Sequence, residues 1–152
     1  MRLATVLAML SLVSIGLAAD PQFQGAPQDP QFAKNAFRSA INAWAYSEYW
    51  RLYAMGTKES RDAISEKDFA VQMEQGWRKP GIGLEILDVG IRGAFAAIRA
   101  KVRMEYGKFA REAIRNRPIP SGPTDEIIQS VLTYQDNDWR VNLYQFVGMA
   151  RY

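Results

Sequence analysis

A chain of 152 residues, 48% of them hydrophobic and four of them tryptophan, can bury one well-packed core and is too short for two ordinary domains. It contains no cysteine and no histidine, which excludes disulfides, thiol chemistry, Ser-His or Cys-His nucleophilic sites and His-ligated zinc. The formal net charge is only +3, whereas nucleic-acid binding requires a strongly basic face. We therefore expect one domain that is held by packing alone, with no metal, no cofactor and no nucleic-acid partner.

The first 19 residues have the pattern of a secretory signal peptide. Arg2 supplies a positive charge, residues 3–19 carry none, and small residues lie at Gly16, Ala18 and Ala19. This pattern predicts cleavage after Ala18 or Ala19 and a periplasmic or secreted protein. The alternative is a retained membrane anchor, since about 17 apolar residues is the lower limit of a bilayer span.

Residues 20–34 are rich in proline and glutamine, and they contain the tetrapeptide Asp-Pro-Gln-Phe twice, at 20–23 and at 29–32. Proline prevents regular strand pairing and the apolar content is low, so this composition predicts a flexible linker ahead of a single domain over residues 35–152. The alternative is that the two copies are short docking motifs.

Residues 35–55 are predicted to form one long helix that ends at Gly56, the central element of the domain. At about 100° per residue, one side of this helix collects apolar side chains, namely Phe37, Ile41, Trp44, Ala45, Leu52 and Met55. Glu48 falls in the middle of this stripe. Because burial of a lone charge is costly, an inward Glu48 has to be paired, hydrogen-bonded or protonated.

Two shorter helices complete the helical half. One is predicted over residues 58–64. The other is capped by Ser65, since Ser65 and Asp68 form a variant of the capping box ahead of the apolar residues Phe69 and Met73. This helix should stop at Gly76 or Trp77.

The second half of the chain changes from helical to alternating periodicity. It predicts strands over residues 84–91, 94–106, 126–134 and 139–147, with turns at Gly93 and at 135–138 and an exposed connection at 107–124. The last of these strands is apolar on both sides in its latter part, so both of its faces should be covered, by helices and either a second subunit or an extended loop. We favour a homodimer through the sheet.

The predicted strand at 94–106 has two different faces. The apolar face comprises Ile98, Ala100, Val102, Met104 and Tyr106, and the charged face comprises Arg99, Lys101, Arg103 and Glu105. The basic residues of the charged face indicate either a solvated surface or a contact with an acidic partner or anionic lipid headgroups.

This order of elements resembles the nuclear transport factor 2 and ketosteroid isomerase superfamily. The resemblance lies in Tyr-Trp-Arg-Leu-Tyr-Ala-Met-Gly at 49–56, in the Ser65-capped helix with Phe69, and in Asp-Asn-Asp-Trp-Arg-Val at 136–141. It covers about residues 36–147, and exported bacterial members of unknown function look especially similar at the terminal turn. The resemblance implies an α+β, cone-like fold, with N-terminal helices packed in the concave face of a curved antiparallel sheet.

The resemblance also implies a candidate site. Isomerases of this superfamily use a carboxylate base and a tyrosine or protonated aspartate donor in an apolar cone. Here the candidate base is Glu48, with Tyr106, Tyr134 or Tyr144 across from it, whereas the histidine of the dehydratase members is absent. The alternative to a catalytic role for Glu48 is exposure to solvent or a structural ion pair with Arg99, Arg103 or Arg140.

The candidate ligand-binding residues are Trp44, Glu48, Tyr106 and Tyr144. For the four tryptophans, Trp44, Trp50, Trp77 and Trp139, a place in the core is the alternative to a ligand platform. Our first hypothesis is an exported, non-catalytic binding or assembly module that holds a small apolar ligand or a protein partner. The second is a proton-transfer enzyme with Glu48 as base and a tyrosine as donor, and the third is a component of a cell-envelope complex.

Overall fold

The computed structural model describes residues 26–107, 120 and 122–151. The predicted signal peptide, the first Asp-Pro-Gln-Phe copy and most of the connection at 107–124 lie outside the described residues. The described part of the chain forms five helices and four strands: α1 Pro30–Ala45, α2 Tyr49–Ala54, α3 Lys58–Ala63, α4 Glu66–Glu74, β1 Arg78–Arg92, β2 Phe95–Tyr106, β3 Thr124–Gln135, β4 Asp138–Val141 and α5 Leu143–Arg151.

The four strands form one antiparallel sheet in the order β1-β2-β3-β4. The turn between β1 and β2 places Gly93 at φ 57°, and the turn between β3 and β4 places Asp136 and Asn137 at φ 51° and 59°. Such left-handed turn residues match the right-handed twist of paired strands. Both predicted turns are thereby confirmed.

The core lies between the sheet and the helices. α1 and α5 lie against one face of the sheet, and α2 and α4 pack on those two helices. Five inward side chains of β2 are buried, namely Ala96, Ile98, Ala100, Val102 and Met104, and Tyr106 at the end of the strand is half-buried. The five buried residues share one hydrophobic cluster with Phe37, Trp44, Phe69 and Phe146. The rings of Trp44 and Phe146 pack edge to face, with their centroids 5.8 Å apart. The predicted fold class is confirmed: an α+β domain with helices packed in the concave face of a curved antiparallel sheet.

Residues 35–55 form two helices, so the prediction of one continuous helix is wrong. Ser47 adopts a left-handed φ of 58° between α1 and α2. The amide of Ser47 donates to the carbonyl of Trp44 at 3.0 Å, and the amide of Glu48 donates to that of Ala43 at 2.8 Å. These two bonds are a Schellman motif, the usual way to satisfy the last carbonyls of a helix.

The break keeps the helical half compact. A straight helix over residues 35–55 would be ~32 Å long. After the break, Leu52 of α2 is fully buried and Met55 packs against the core. The apolar stripe is confirmed within α1, where Phe37, Ile41 and Trp44 are at most 2% exposed.

The main domain begins earlier than predicted. α1 starts at Pro30, and the side chain of Asp29 accepts a hydrogen bond from the amide of Gln31 at 2.8 Å. Aspartate at the N-cap followed by proline is a favoured helix start. Residues 30–34, which we assigned to the linker, are therefore the first turns of α1.

The two short helices agree with the sequence. Thr57 caps α3, and Ser65 caps α4 by accepting from the amide of Asp68 at 3.1 Å. This is the hydroxyl arm of the predicted capping box.

The C-terminal strand was predicted too long. The strand β4 ends at Val141, and the chain continues as α5, which the side chain of Asn142 caps by accepting from the amide of Tyr144 at 3.0 Å. The buried residues of α5 follow helical spacing, at Leu143, Phe146, Val147 and Ala150. The two-sided apolar pattern that suggested a dimer is therefore the inner face of a helix.

Candidate functional site

The structure places Glu48 at the surface and not in the core. It lies at the start of α2, its side chain is 40% exposed, and one carboxylate oxygen lies 3.1 Å from Nη1 of Arg51. The break after α1 rotates this position away from the stripe that the helical wheel predicted. Glu48 is thus partly exposed and forms a structural ion pair, which was the alternative to a catalytic role. The arginine is not one of the three that we expected.

The other predicted ligand residues do not meet at one site. Trp44 is fully buried against Phe146 and belongs to the core. Tyr144 lies on α5, is 48% exposed, and its hydroxyl donates to the carbonyl of Ala63 at 3.2 Å. The cone interior around Trp44 is thus occupied by the protein's own side chains.

Tyr106 belongs to a polar network near the start of β1, the end of β2 and the start of β3. Its hydroxyl lies 2.8 Å from Oγ1 of Thr124 and donates to Glu126 at 3.1 Å. The same carboxylate accepts from Arg78 at 2.6 Å, while the ring of Tyr106 stacks on Trp77 with centroids 5.8 Å apart. Tyr106 is therefore paired with a carboxylate, as the sequence suggested, but the carboxylate is Glu126 and not Glu48. The guanidinium of Arg78 neutralises it, as in a structural ion pair.

An open cleft lies between the first turns of α1 and the β3–β4 turn. We call it the hairpin cleft. Its volume is about 470 Å³, and its lining residues are Pro27, Phe32, Asn35, Ala36, Ser39, Met55, Tyr134, Asn137, Asp138 and Trp139. Clefts of this size can accommodate small organic ligands. None of these lining residues is a lysine or an arginine.

Aromatic side chains dominate one wall of the hairpin cleft. Tyr134 and Trp139 pack edge to face with centroids 5.3 Å apart. Trp139 is 2% exposed, and its Nε1 is a buried donor without a hydrogen-bond partner among the described residues. Nε1 of Trp44, in the core, likewise has no partner among the described residues, so this feature is not specific to the cleft.

Sequence reasoning found this region only in part. Tyr134 was named as a possible partner of Glu48, and Phe32 was assigned to the linker. Phe32 lines the cleft because α1 begins at Pro30 and carries Phe32, which is 57% exposed, to the cleft rim. The one sequence signal was the helix start itself, Asp29-Pro30.

The charged face of β2 lies beside acidic residues of the neighbouring strands. Each of its basic residues lies opposite an acidic residue of a neighbouring strand: Lys101 opposite Glu85, Arg99 opposite Asp88 and Arg103 opposite Asp125. The carboxylate of Glu85 lies 2.9 Å from Nζ of Lys101, and this hydrogen bond raises the pKa of the lysine. This pairing favours a solvated surface over a docking face for acidic lipids.

Within the described residues, no helix is long and apolar enough to cross a membrane. The same part of the chain contains no cluster of three or more acidic side chains, cysteines or histidines that would hold a metal ion.

No protein-family model matches the sequence, and no curated protein matches it. Solved structures with a similar fold include a SEC-C motif protein from Psychrobacter arcticus, with 13% identity and a TM-score of 0.50 over 72% of this chain. This chain spans only 58% of the length of that protein.

Two further solved structures are similar at lower TM-scores. A SEC-C motif protein from Rhodopseudomonas palustris has 13% identity and a TM-score of 0.48, over 74% of this chain and 87% of that one. A protein from Streptomyces avermitilis, described as a dehydratase of the NTF2-like family, has 9% identity and a TM-score of 0.47, over 74% and 90%. At these identities the likeness concerns the fold alone.

Fold and geometry together define the class of protein: an α+β domain whose helices fill the concave face of an antiparallel sheet and leave an aromatic cleft at one end of the sheet.

Proposed function

We propose that this protein is an exported, non-catalytic binding module of the nuclear transport factor 2-like type, which holds a small, largely apolar ligand in the hairpin cleft. The observation that carries the proposal is the cleft itself, about 470 Å³ in volume, with Trp139 in its wall. Ligand sites are typically concave and mostly apolar, with a few polar groups that fix the ligand's orientation.

The lining favours a neutral ligand with a hydrogen-bond acceptor. Phe32, Met55, Tyr134 and Trp139 supply apolar surface. The lining contains the carboxylate of Asp138 and no basic side chain, which disfavours an anion. Hydrogen-bonding side chains that line the cleft are those of Asn35, Ser39, Tyr134 and Asn137. A carbonyl or ether oxygen on an otherwise apolar molecule fits this combination.

Proton transfer with Glu48 as the base is not favoured, because Glu48 does not line the hairpin cleft. A general base for proton transfer beside a carbonyl needs a carboxylate within reach of the substrate. Glu48 is paired with Arg51 at the surface, and Glu126 is paired with Arg78. The alternative that made Glu48 the base therefore has no observation in its favour.

Ligand binding in the cleft is tested with N-phenyl-1-naphthylamine, a neutral apolar fluorophore. Protein purified from cells that express the full chain is titrated with this probe, and its fluorescence gives the affinity. Ser39→Phe should fill the cleft and weaken binding about tenfold or more, and Trp139→Phe should weaken it by removing part of the apolar wall while keeping an aromatic ring. The matched control is Trp50→Phe, because Trp50 is 65% exposed and lies outside the cleft.

Unchanged binding in both cleft variants would overturn the proposal. Organic extraction of the purified protein, followed by mass spectrometry, gives a second readout. Recovery of a small neutral molecule that is lost in Ser39→Phe supports the proposal, and recovery of a peptide instead would replace it with a protein-binding role.

Export is tested by the N-terminus of the protein recovered from the cell envelope or the medium. The proposal requires cleavage after Ala18 or Ala19, as the charge and size pattern of the first 19 residues predicts. Recovery of the intact N-terminus in the membrane fraction would instead show a retained anchor.

We further propose that two copies associate through the sheet. The outer face of the sheet carries exposed apolar side chains at Phe95, Ile127 and Val131, which are 50–61% exposed. Exposed apolar side chains that share one face mark interaction surfaces when they cluster.

A further inference from the structure

The two edges of the sheet differ in how far their backbone groups are covered. At the β4 edge, the backbone of Val141 exchanges hydrogen bonds with Met55 and Thr57 at 3.0 and 2.9 Å. Beyond β4, the side-chain amide of Gln145 donates to the carbonyl of Gln129 on the same side of β3. Unpaired edges are templates for pairing with another chain, and natural proteins usually cover them in this way.

The opposite edge has no such cover in the part of the chain that the structure describes. β1 is 15 residues long and pairs only with β2. No backbone hydrogen bond among the described residues joins 82–92 to anything else. A β-bulge between Ile86 and Asp88 interrupts the strand, so the regular part of this edge is residues 88–92.

The register fixes which backbone groups point outward. Arg92 pairs with Phe95 across a two-residue turn, so residues 88, 90 and 92 direct their N–H and C=O groups toward β2. Val89 and Ile91 direct theirs away from β2, toward the open edge. Two residues thus present donors and acceptors to whatever lies alongside β1.

The sequence of this segment is complementary to itself. It reads Asp88-Val89-Gly90-Ile91-Arg92. In an antiparallel pair related by a two-fold axis at Gly90, Val89 of one copy lies opposite Ile91 of the second, and both have outward backbone groups. The same register places Asp88 of each copy opposite Arg92 of the other, on the outer face where both side chains are exposed.

The glycine at position 90 independently supports the approach of a second strand at this edge. A Cβ atom added at Gly90 would meet nothing within 4 Å, so no contact within the described chain requires a glycine there. Glycine weakens a strand interior, and it often marks a place where another backbone approaches closely. In the two-fold pair, each Gly90 lies opposite the Gly90 of the second copy at a non-hydrogen-bonded position, where the Cα atoms are closest.

We propose that two copies of this protein pair edge to edge through Asp88–Arg92 and join their sheets into one continuous antiparallel sheet. The inference rests on the proposed association through the sheet and names the part of the sheet that carries it. Two symmetric hydrogen-bonded pairs, Val89 with Ile91, hold the strands together. Two Asp88–Arg92 pairs set the register, because an antiparallel slip by one residue would remove both.

The test is sedimentation velocity over a range of protein concentrations, with protein purified from cells that express the full chain. The wild-type protein should sediment as a dimer. Asp88→Arg and Arg92→Asp each place like charges opposite one another twice, and each should weaken the dimer about tenfold or more. The double variant Asp88→Arg/Arg92→Asp exchanges the charges and should restore the dimer.

Two further variants separate backbone from charge effects. Ile91→Pro removes an N–H that β2 does not use, which an edge strand tolerates. This variant should be folded by circular dichroism and monomeric by sedimentation velocity. Glu74→Arg changes the net charge as Asp88→Arg does, at an exposed position of α4, and should leave the dimer unchanged.

The outcomes distinguish this inference from the proposal on which it rests. A dimer that is insensitive to all edge variants but is lost in Val131→Lys would overturn the edge pairing and retain a dimer through the outer face of the sheet. A wild-type protein that stays monomeric at about 100 μM would overturn both, since the dissociation constant would then lie above that concentration.

Discussion

Arg78 and Glu126, 48 positions apart in the chain, lie with Nη1 and the carboxylate 2.6 Å apart, and their side chains are 12% and 27% exposed. The same guanidinium donates to the carbonyl of Met149 at 2.6 Å and lies 5.3 Å from the centroid of the Trp77 ring. One arginine therefore ties the start of β1 to β3 and to the end of α5.

Removal of one partner of this pair should destabilise the fold. In Arg78→Met the partly buried carboxylate of Glu126 loses its charged donor, and a hydrogen bond to a charged group contributes about 1.5–3 kcal/mol. We expect a loss of this size in the free energy of unfolding, measured by urea denaturation. The double variant Arg78→Met/Glu126→Gln should cost less than the sum of the single variants.

The control for this pair is Lys101→Met, which breaks the exposed ion pair with Glu85 and should cost less than about 1 kcal/mol. Equal losses in Arg78→Met and Lys101→Met would show that the burial of the Arg78 pair has no energetic consequence.

Trp44 is predicted to be the most costly tryptophan to truncate. It is fully buried and packs on Phe146, so Trp44→Ala should destabilise the protein by about 3–5 kcal/mol through lost burial and a residual cavity. Trp50→Ala should have little effect, because Trp50 is 65% exposed. Thermal unfolding of the two variants checks the difference, and similar midpoints would contradict a core role for Trp44.

Glu48 is predicted to be dispensable. Its ion pair with Arg51 is exposed on both sides, at 40% and 50%, and such pairs contribute about 0.2–1 kcal/mol. Glu48→Gln should therefore change the free energy of unfolding by less than about 1 kcal/mol and leave ligand affinity unchanged. A large loss of ligand affinity would return Glu48 to the binding site.

Glu59 should titrate below the usual range for glutamate. The side-chain amide of Gln135 donates to its carboxylate at 2.9 Å, and this hydrogen bond lowers the pKa of Glu59. A lowered folded-state pKa contributes stability that is present above the ordinary glutamate pKa and is lost as the pH falls through the folded-state pKa. In Gln135→Ala the pKa of Glu59 should rise, as measured by NMR titration of the carboxyl carbon.

The control for this titration is Asp136→Asn, which changes the charge of the same turn and leaves the Gln135 amide in place. A Glu59 pKa that stays low in Gln135→Ala would assign the shift to the helix start at Thr57 instead.

Overpacking at Gly56 gives a further check on the structure. A Cβ atom there would lie 2.8 Å from Cγ and Cδ1 of Leu143. Gly56→Ala should destabilise the protein by about 1–3 kcal/mol, since the two side chains have to move apart. The companion variant Gly56→Ala/Leu143→Ala should show less than the summed loss in urea denaturation, because the second change makes room for the first.

Several elements were predictable because their signals are local. The alternation in β2 places Ile98, Ala100, Val102 and Met104 inward, as a period of two requires. The Ser65 cap and the turn at Asp136–Asn137 are also short-range features, set by side chains within a few residues. Nothing beyond the neighbouring sequence is needed to specify them.

The break at Ser47 and the helix α5 were not predicted, and the reasons differ. At Ser47 the sequence offers no glycine or proline, so the helix ends where Leu52 can return to the core. In α5 the helical spacing of Leu143, Phe146, Val147 and Ala150 was present, but the preceding alternation from Trp139 outweighed it. A period count over residues 143–150 would have found this helix.

The sequence by itself determined the single α+β domain, the inward stripe of α1, the inward face of β2 and the turn positions, because periodicity and capping act over a few residues. Only the tertiary structure decided that Glu48 lies at the surface, that Tyr106 pairs with Glu126, and that Phe32 and Trp139 share one cleft. These relationships join residues that are distant in the chain, so they follow from how the helices pack on the sheet and leave no local pattern in the sequence.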